Sequence, residues 1–233
     1  MKVAVVVFPG SNADWDALHA ARDVLHAEAR YVFHKETELG AVDAVIIPGG
    51  FAHGDYLRCG AIARFSPIAD AIRDFAAKGG PILGICNGFQ VLTEMHLLPG
   101  ALTRNAHLRF ECGDVWLKVE SGGAWTSTAG RVIRLPIAHG EGRYVCDRAT
   151  LERLEGEGLV ALRYVGPDGE RDPRGVLNGS MNDIAGIYGP GRHVMGMMPH
   201  PERASEAMLG NADGRAMFES LRLHLEGKKE VAA

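Results

Sequence analysis

Several features that would direct the reading elsewhere are missing from this chain of 233 residues. Its 4 cysteines, Cys59, Cys86, Cys112 and Cys146, form no CxxC pair, so a structural zinc site is not expected. No apolar run approaches the roughly eighteen residues of a membrane span, and no membrane association is expected. There is no long basic run. Lys228 and Lys229 stand as an isolated pair, and 25 basic against 29 acidic side chains give a net charge of -4. Nucleic acid is therefore not an expected partner. No Walker A loop is present, so nothing points to ATP or another cofactor in this chain. Repeats, low-complexity tracts and linkers are absent too. A single domain over residues 1–226 with a short polar tail over 227–233 is the expected organisation. The opening MKVAVVVFPG has no small-residue cleavage site and stops at Pro9-Gly10, so it reads as a buried strand rather than a leader. A reducing, cytoplasmic setting with free thiols is expected.

What is present is an alternation of short apolar runs with helical spacing. Strands are expected at Val3 to Phe8, Arg30 to Phe33, Ala44 to Ile47 and Pro81 to Ile85. Between them, Ser11 or Asn12 caps a helix carrying Trp15, Leu18, His19, Arg22 and Leu25. A second helix runs from Ile62 to Ala77, and a third covers Gln90 to Met95. This rhythm predicts an α/β fold with a mostly parallel central sheet flanked by helices. The second half adds strands at Val115 to Val119, Val132 to Leu135, Arg143 to Val145, Leu159 to Val165, Ile184 to Ile187 and Val194 to Met198. Glycine-rich turns separate them, which suits antiparallel additions returning to the main sheet. A last helix is expected from Gly214 to Leu225.

Three segments sit where strands end, and each carries chemistry. In Gly84-Ile85-Cys86-Asn87-Gly88 a cysteine lies between a strand and a helix start, with small residues on both sides for a sharp turn. A helix N-terminus favours a thiolate there. Cys86 is the candidate nucleophile; the other three cysteines read as structural. A thiol needs a base. In Met198-Pro199-His200-Pro201-Glu202-Arg203 the prolines hold His200 extended, and residues two apart in an extended chain point the same way. Glu202 is thus placed to orient His200 as the third member of a triad. His139, in Pro136-Ile137-Ala138-His139-Gly140-Glu141-Gly142, is the rival base. Pro48-Gly49-Gly50-Phe51 offers main-chain donors for a tetrahedral oxyanion, from Gly50 or Phe51, with Asn87 as the second donor.

Taken together these segments resemble the class I glutamine amidotransferases that use a Cys-His-Glu triad. The GxCxGxQ form marks the class. Phe8-Pro9-Gly10-Ser11-Asn12, Gly54-Asp55-Tyr56-Leu57-Arg58, Pro136 to Gly142, Asn178-Gly179-Ser180 and Met198 to Arg203 narrow the likeness, over nearly the whole chain, to glutaminase subunits of phosphoribosylformylglycinamidine synthase. The resemblance implies Cys86 as nucleophile, His200 as base and Glu202 as orienter. It implies Gln90 as a substrate-holding residue, with Asn105, Arg109 and Phe110 shaping the glutamine pocket. The chain departs from the family pattern at Ala52 and His53, at Val176 and Leu177, and at Gly113 after Cys112. The first pair bears on the oxyanion loop, the others on the edge of the glutamine site or on the partner surface.

The implied reaction is hydrolysis of glutamine through a cysteinyl thioester, with ammonia handed to a large synthetase subunit. The resemblance implies that this partner uses ATP and magnesium to convert formylglycinamide ribonucleotide to formylglycinamidine ribonucleotide in purine biosynthesis, and that a small subunit bridges the two chains. The competing readings are a glutaminase serving another synthetase and a non-catalytic binding protein on the same scaffold.

Overall fold

The computed structural model describes residues 1–127, 129–172, 176 and 178–231. The first half alternates β1 (Lys2–Val7), α1 (Asp14–His19), β2 (Glu28–Phe33), β3 (Ala44–Ile47), α2 (Ile68–Ala77), β4 (Ile82–Ile85), α3 (Asn87–Glu94) and β5 (Ala101–Thr103). The second half contains β6 (Glu111–Val119), β7 (Val132–His139), β8 (Arg143–Val145), α4 (Arg148–Gly156), β9 (Val160–Val165), β10 (Ile184–Tyr188), β11 (Val194–Met197) and α5 (Arg215–Val231). A nine-stranded sheet has the order β2-β1-β3-β4-β11-β10-β9-β6-β7. Strands β2, β1, β3, β4 and β11 run parallel, and the rest pair antiparallel. This is the expected class: a parallel centre flanked by helices, with antiparallel additions from the second half.

The apolar runs of β3, β4 and β11 are buried along their whole length, as strands covered on both faces must be. Each buried Ile or Val there contributes roughly 1.5–3 kcal/mol relative to exposure. Because β4 lies between β3 and β11, the three candidate segments leave the sheet side by side.

Several local expectations are corrected. Neither Ser11 nor Asn12 caps α1 with its side chain: Ser11 Oγ accepts the Phe8 N–H at 3.1 Å, and the amides of Asn12 and Ala13 donate to Gly49 O at 3.3 and 3.2 Å. The second helix starts at Ile68 because Ser66, kept extended by Pro67 behind it, breaks the run after a 3-10 turn at Ala63–Phe65. Strand β7 continues through Pro136 to His139, since it lies at the sheet edge, where a missing N–H is tolerated. Strand β8 pairs with β5 in a separate two-stranded sheet instead of joining the main one. Helix α5 runs past Leu225 to Val231, into the stretch expected to be a tail. Leu177 lies outside the described residues.

Candidate active site

The turn from β4 into α3 is a strained elbow. Cys86 has φ 51 and ψ -105, a conformation that disfavours a side-chain-bearing residue and here projects the thiol from the strand end. The flanking glycines are required by packing. A Cβ on Gly88 would collide with the carbonyl oxygen of Ile47, and one on Gly84 would lie 2.6 Å from the Gly88 carbonyl oxygen. Helix α3 therefore sits directly against β3 and β4, and its first amide, that of Asn87, opens beside Cys86 without an intrahelical acceptor.

His200 follows β11. Its Nδ1 lies 2.5 Å from Glu202 Oε1, and both side chains are almost completely buried. The pairing does not come from an extended chain. Pro201–Ala204 forms a 3-10 turn, and it is this turn that folds the Glu202 carboxylate back onto the ring. The His200 amide donates to Pro136 O at 2.8 Å, anchoring this histidine to β7. Burial alone would weaken the hold of the imidazole on a proton. The Glu202 carboxylate, together with Cys86, outweighs burial and raises the pKa above the ordinary imidazole range. His200 Nε2 is buried and has no hydrogen-bond partner among the described residues. The Cys86 thiol lies 3.8 Å from Ala138 O. A pocket bordered by Ala138, His200, Arg203 and Asn211 opens beside His200.

The loop expected to supply oxyanion donors follows β3. Gly50 has φ 151 and bridges to Ser11. The Phe51 amide donates to Gly10 O at 2.9 Å, which removes Phe51 as an oxyanion donor in this conformation. The Gly50 amide is the member of that pair left for the role. The Asn87 side chain ties the loop to the elbow. Its Oδ1 accepts the Ala52 N–H at 3.0 Å, while Nδ2 donates to Asp55 Oδ1 at 3.2 Å and to Gln90 Oε1 at 2.9 Å. Gln90 Nε2 then donates to Glu141 O at 2.7 Å, joining α3 to the loop after β7.

This geometry coincides with the comparisons to known proteins. The family model described as a CobB/CobQ-like glutamine amidotransferase domain matches residues 1–223. The phosphoribosylformylglycinamidine synthase subunit PurQ of Gloeobacter violaceus is 55% identical over 224 residues, covering 95% of this chain and 97% of the relative. That of Bradyrhizobium diazoefficiens is 53% identical over 230 residues, covering 97% and 99%. The chain belongs to the PurQ-type glutamine amidotransferases. Among solved structures, PurLQS from Thermotoga maritima superposes with a TM-score of 0.84 at 42% identity, covering 96% of this chain and 98% of that one. A glutamine amidotransferase from Thermotoga maritima, at 17% identity and a TM-score of 0.54, covers 98% of this chain and 85% of that one and shares the fold.

In this glutamine amidotransferase the remaining sequence candidates divide. Asn105 is fully buried, as a hub between loops. Gln90 is buried too, with both ends of its amide engaged within the protein. Arg109 and Phe110 are exposed: Arg109 joins the hub through its main-chain carbonyl, and Phe110 lies over Gly140. Two participants escaped sequence reasoning. Glu94, buried at the end of α3, takes Arg58 in a 2.5 Å ion pair, so the Gly54 to Arg58 motif clasps α3 at two points. Tyr164 on β9 brings a buried hydroxyl whose pKa is raised by burial and by Glu111 and Cys86. Nothing local in the sequence marks either residue.

Proposed function

We propose that Cys86, His200 and Glu202 hydrolyse glutamine and that the ammonia is delivered to the large synthetase subunit for synthesis of formylglycinamidine ribonucleotide in purine biosynthesis. The observation that carries this is the buried His200–Glu202 pair, with a free Nε2, beside a strained cysteine at a strand end. The identity to PurQ subunits and the superposition on PurLQS support a large synthetase as receiver.

Cys86 Sγ attacks the side-chain amide carbon of glutamine while His200 Nε2 takes the thiol proton. The amides of Gly50 and Asn87 hold the oxyanion. As the tetrahedral state collapses, His200 gives its proton to the departing nitrogen, leaving ammonia and a γ-glutamyl thioester. A water then loses a proton to His200 and attacks the thioester carbon. Glutamate leaves, and the proton returns to Sγ.

Free ammonia is protonated in water and loses its nucleophilicity, so hydrolysis is coupled to assembly with the synthetase and with a small bridging subunit. Residues 1–226 act as one catalytic domain. All four cysteines are unpaired, which suits a reducing cytoplasm. Among the described residues no helix is long and apolar enough to cross a membrane.

The test is glutamate release by the purified chain, alone and with the synthetase components, ATP and formylglycinamide ribonucleotide. Weak release alone and a large rise on assembly are expected. Full activity in the isolated chain would refute the coupling, and no rise in a verified, active complex would point to a different receiver.

A further inference from the structure

The turn that carries His200 and Glu202 is held on two sides by the main chain: the His200 N–H donates to Pro136 O at 2.8 Å, and the Gly214 N–H donates to Ala204 O at 2.7 Å. On a third side it meets α1 through ion pairs. Arg203 Nε donates to Asp16 Oδ2 at 3.0 Å, and His19 Nε2 donates to Glu206 Oε2 at 2.6 Å. Next to Glu206, the buried Ser205 hydroxyl donates to Glu202 O at 3.0 Å, so a shift of Glu206 reaches the partner of His200. His19 closes α1, and its other ring nitrogen, Nδ1, lies 2.8 Å from Asp23 Oδ2 in the turn that follows.

Two carboxylates on the two ring nitrogens define the charge of His19. A carboxylate only accepts, and a neutral imidazole has a single N–H. Both contacts are met only when both nitrogens carry protons, so His19 is an imidazolium. The hydrogen bond to Glu206 raises its pKa above the ordinary 6.5; burial opposes the rise, and Asp23 adds to it. The neighbouring charges are matched among themselves. Arg22 Nε and Nη2 each lie 3.2 Å from the Asp23 carboxylate, Arg203 takes Asp16, Tyr31 on β2 faces Asp14, and on α5 Arg215 pairs with Glu219. Strand β1, packed on α1, is apolar from Val3 to Val7.

The same helix is tied to the loop expected to supply oxyanion donors. The amides of Asn12 and Ala13, just ahead of α1, donate to Gly49 O, and Ser11 bridges to Gly50. Helix α1 is thus the bracket between that loop and the turn bearing the proposed base. We infer that the His19 imidazolium is a positioning residue for glutamine hydrolysis: by bridging Asp23 and Glu206 it keeps the His200–Glu202 turn in register with the Gly49–Gly50 loop. The inference rests on the glutaminase reading and adds to it a residue outside the site. The Arg203–Asp16 pair stays charged at alkaline pH, whereas the His19 bridge does not. That bridge is complete below the ordinary 6.5 and is released as pH rises through the raised folded value.

The experiment measures glutamate release by the assembled complex, as kcat and KM for glutamine between about pH 6 and about pH 9, for wild type, His19→Gln and His19→Arg. An NMR titration of the His19 ring in the wild-type chain accompanies it. Partly exposed ion pairs are weak, so His19→Gln is expected to lower kcat about three- to ten-fold at the acidic end, with KM nearly unchanged. The deficit should close as the wild type loses its own bridge at alkaline pH. His19→Arg, whose fork serves both carboxylates and does not titrate, is expected to match the wild type at the acidic end and exceed it at the alkaline end. Glu206→Gln, which breaks the bridge from its other end, is expected to repeat the closing deficit. The NMR titration is expected to find both ring nitrogens protonated at neutral pH. A neutral ring there, or losses in His19→Gln and Glu206→Gln that are the same at every pH, would overturn the inference; pH-independent losses are the mark of a merely structural role. A wild type that releases no glutamate at any pH would instead overturn the glutaminase reading beneath it, and the NMR titration would still test the charge on His19.

Discussion

Gly49 leaves no room for a side chain in front of His200: a Cβ added there would stand 2.7 Å from His200 Cε1 and 3.4 Å from Cys86 Cβ. The proposed base, nucleophile and oxyanion loop thus meet at one glycine. Gly49→Ala is expected to displace the imidazole while the fold survives. Since misplacement of about 1 Å can cost about a hundred-fold, kcat for glutamine should fall by that order. Unchanged kcat in a variant with a native circular-dichroism spectrum would contradict this packing.

Glu202 determines how strongly His200 holds a proton. In Glu202→Gln the contribution of the carboxylate against burial is lost, leaving that of Cys86, and the proton affinity of the imidazole drops. By the behaviour of triads when the orienting carboxylate becomes an amide, the glutamine rate should fall on the order of 10³- to 10⁴-fold. Steady-state kinetics of this variant measures the fall, and a loss of only a few-fold would remove Glu202 from the proposed triad.

Asn87 clamps the oxyanion loop to the elbow. Asn87→Ala keeps the main-chain donor at that position but leaves the Ala52 N–H and Gln90 Oε1 buried without their partner. The expected cost is roughly 1–3 kcal/mol of stability, with a reduced kcat and a nearly unchanged rate of Cys86 alkylation. Denaturant midpoints and alkylation rates measure the two parts separately. A matching fall in alkylation would mean that the side chain supports the thiol rather than the loop.

His139 makes stability depend on pH in a definite direction. Its folded pKa, about 4, is below the ordinary value of 6.5, so between these limits the unfolded chain binds the proton that the native chain refuses. Stability contributed by the neutral ring is complete above 6.5 and is lost as pH falls towards 4. The upper limit is about 3 kcal/mol. His139→Gln should flatten the decline of Tm over that window. An unaltered slope would mean that another group titrates there.

The parallel half of the fold was legible because its strands are buried on both faces, and an uninterrupted run such as Ala44 to Ile47 has few other uses. The elbow was legible because Gly84 and Gly88 are demanded by atoms that a Cβ would strike. That His200 and Glu202 lie together was legible from their spacing, although the geometry of the pair comes from a 3-10 turn that this spacing did not reveal. The short helix α4, entered through Asp147 accepting the Thr150 N–H at 2.7 Å, was missed because its weakly apolar sequence gave little periodic signal. The choice between Gly50 and Phe51 depended on Gly10, a residue from another strand end. Non-local hydrogen bonds of that kind leave no mark on neighbouring sequence.

The central claim is that this chain supplies nitrogen to its partner through Cys86. The most direct measurement is synthesis of formylglycinamidine ribonucleotide by the assembled complex carrying Cys86→Ala, with glutamine and, in parallel, with an ammonium salt. Glutamine-dependent synthesis should vanish while ammonia-dependent synthesis continues at the wild-type rate. Retained synthesis with glutamine, or equal loss with both nitrogen sources, would contradict the assignment.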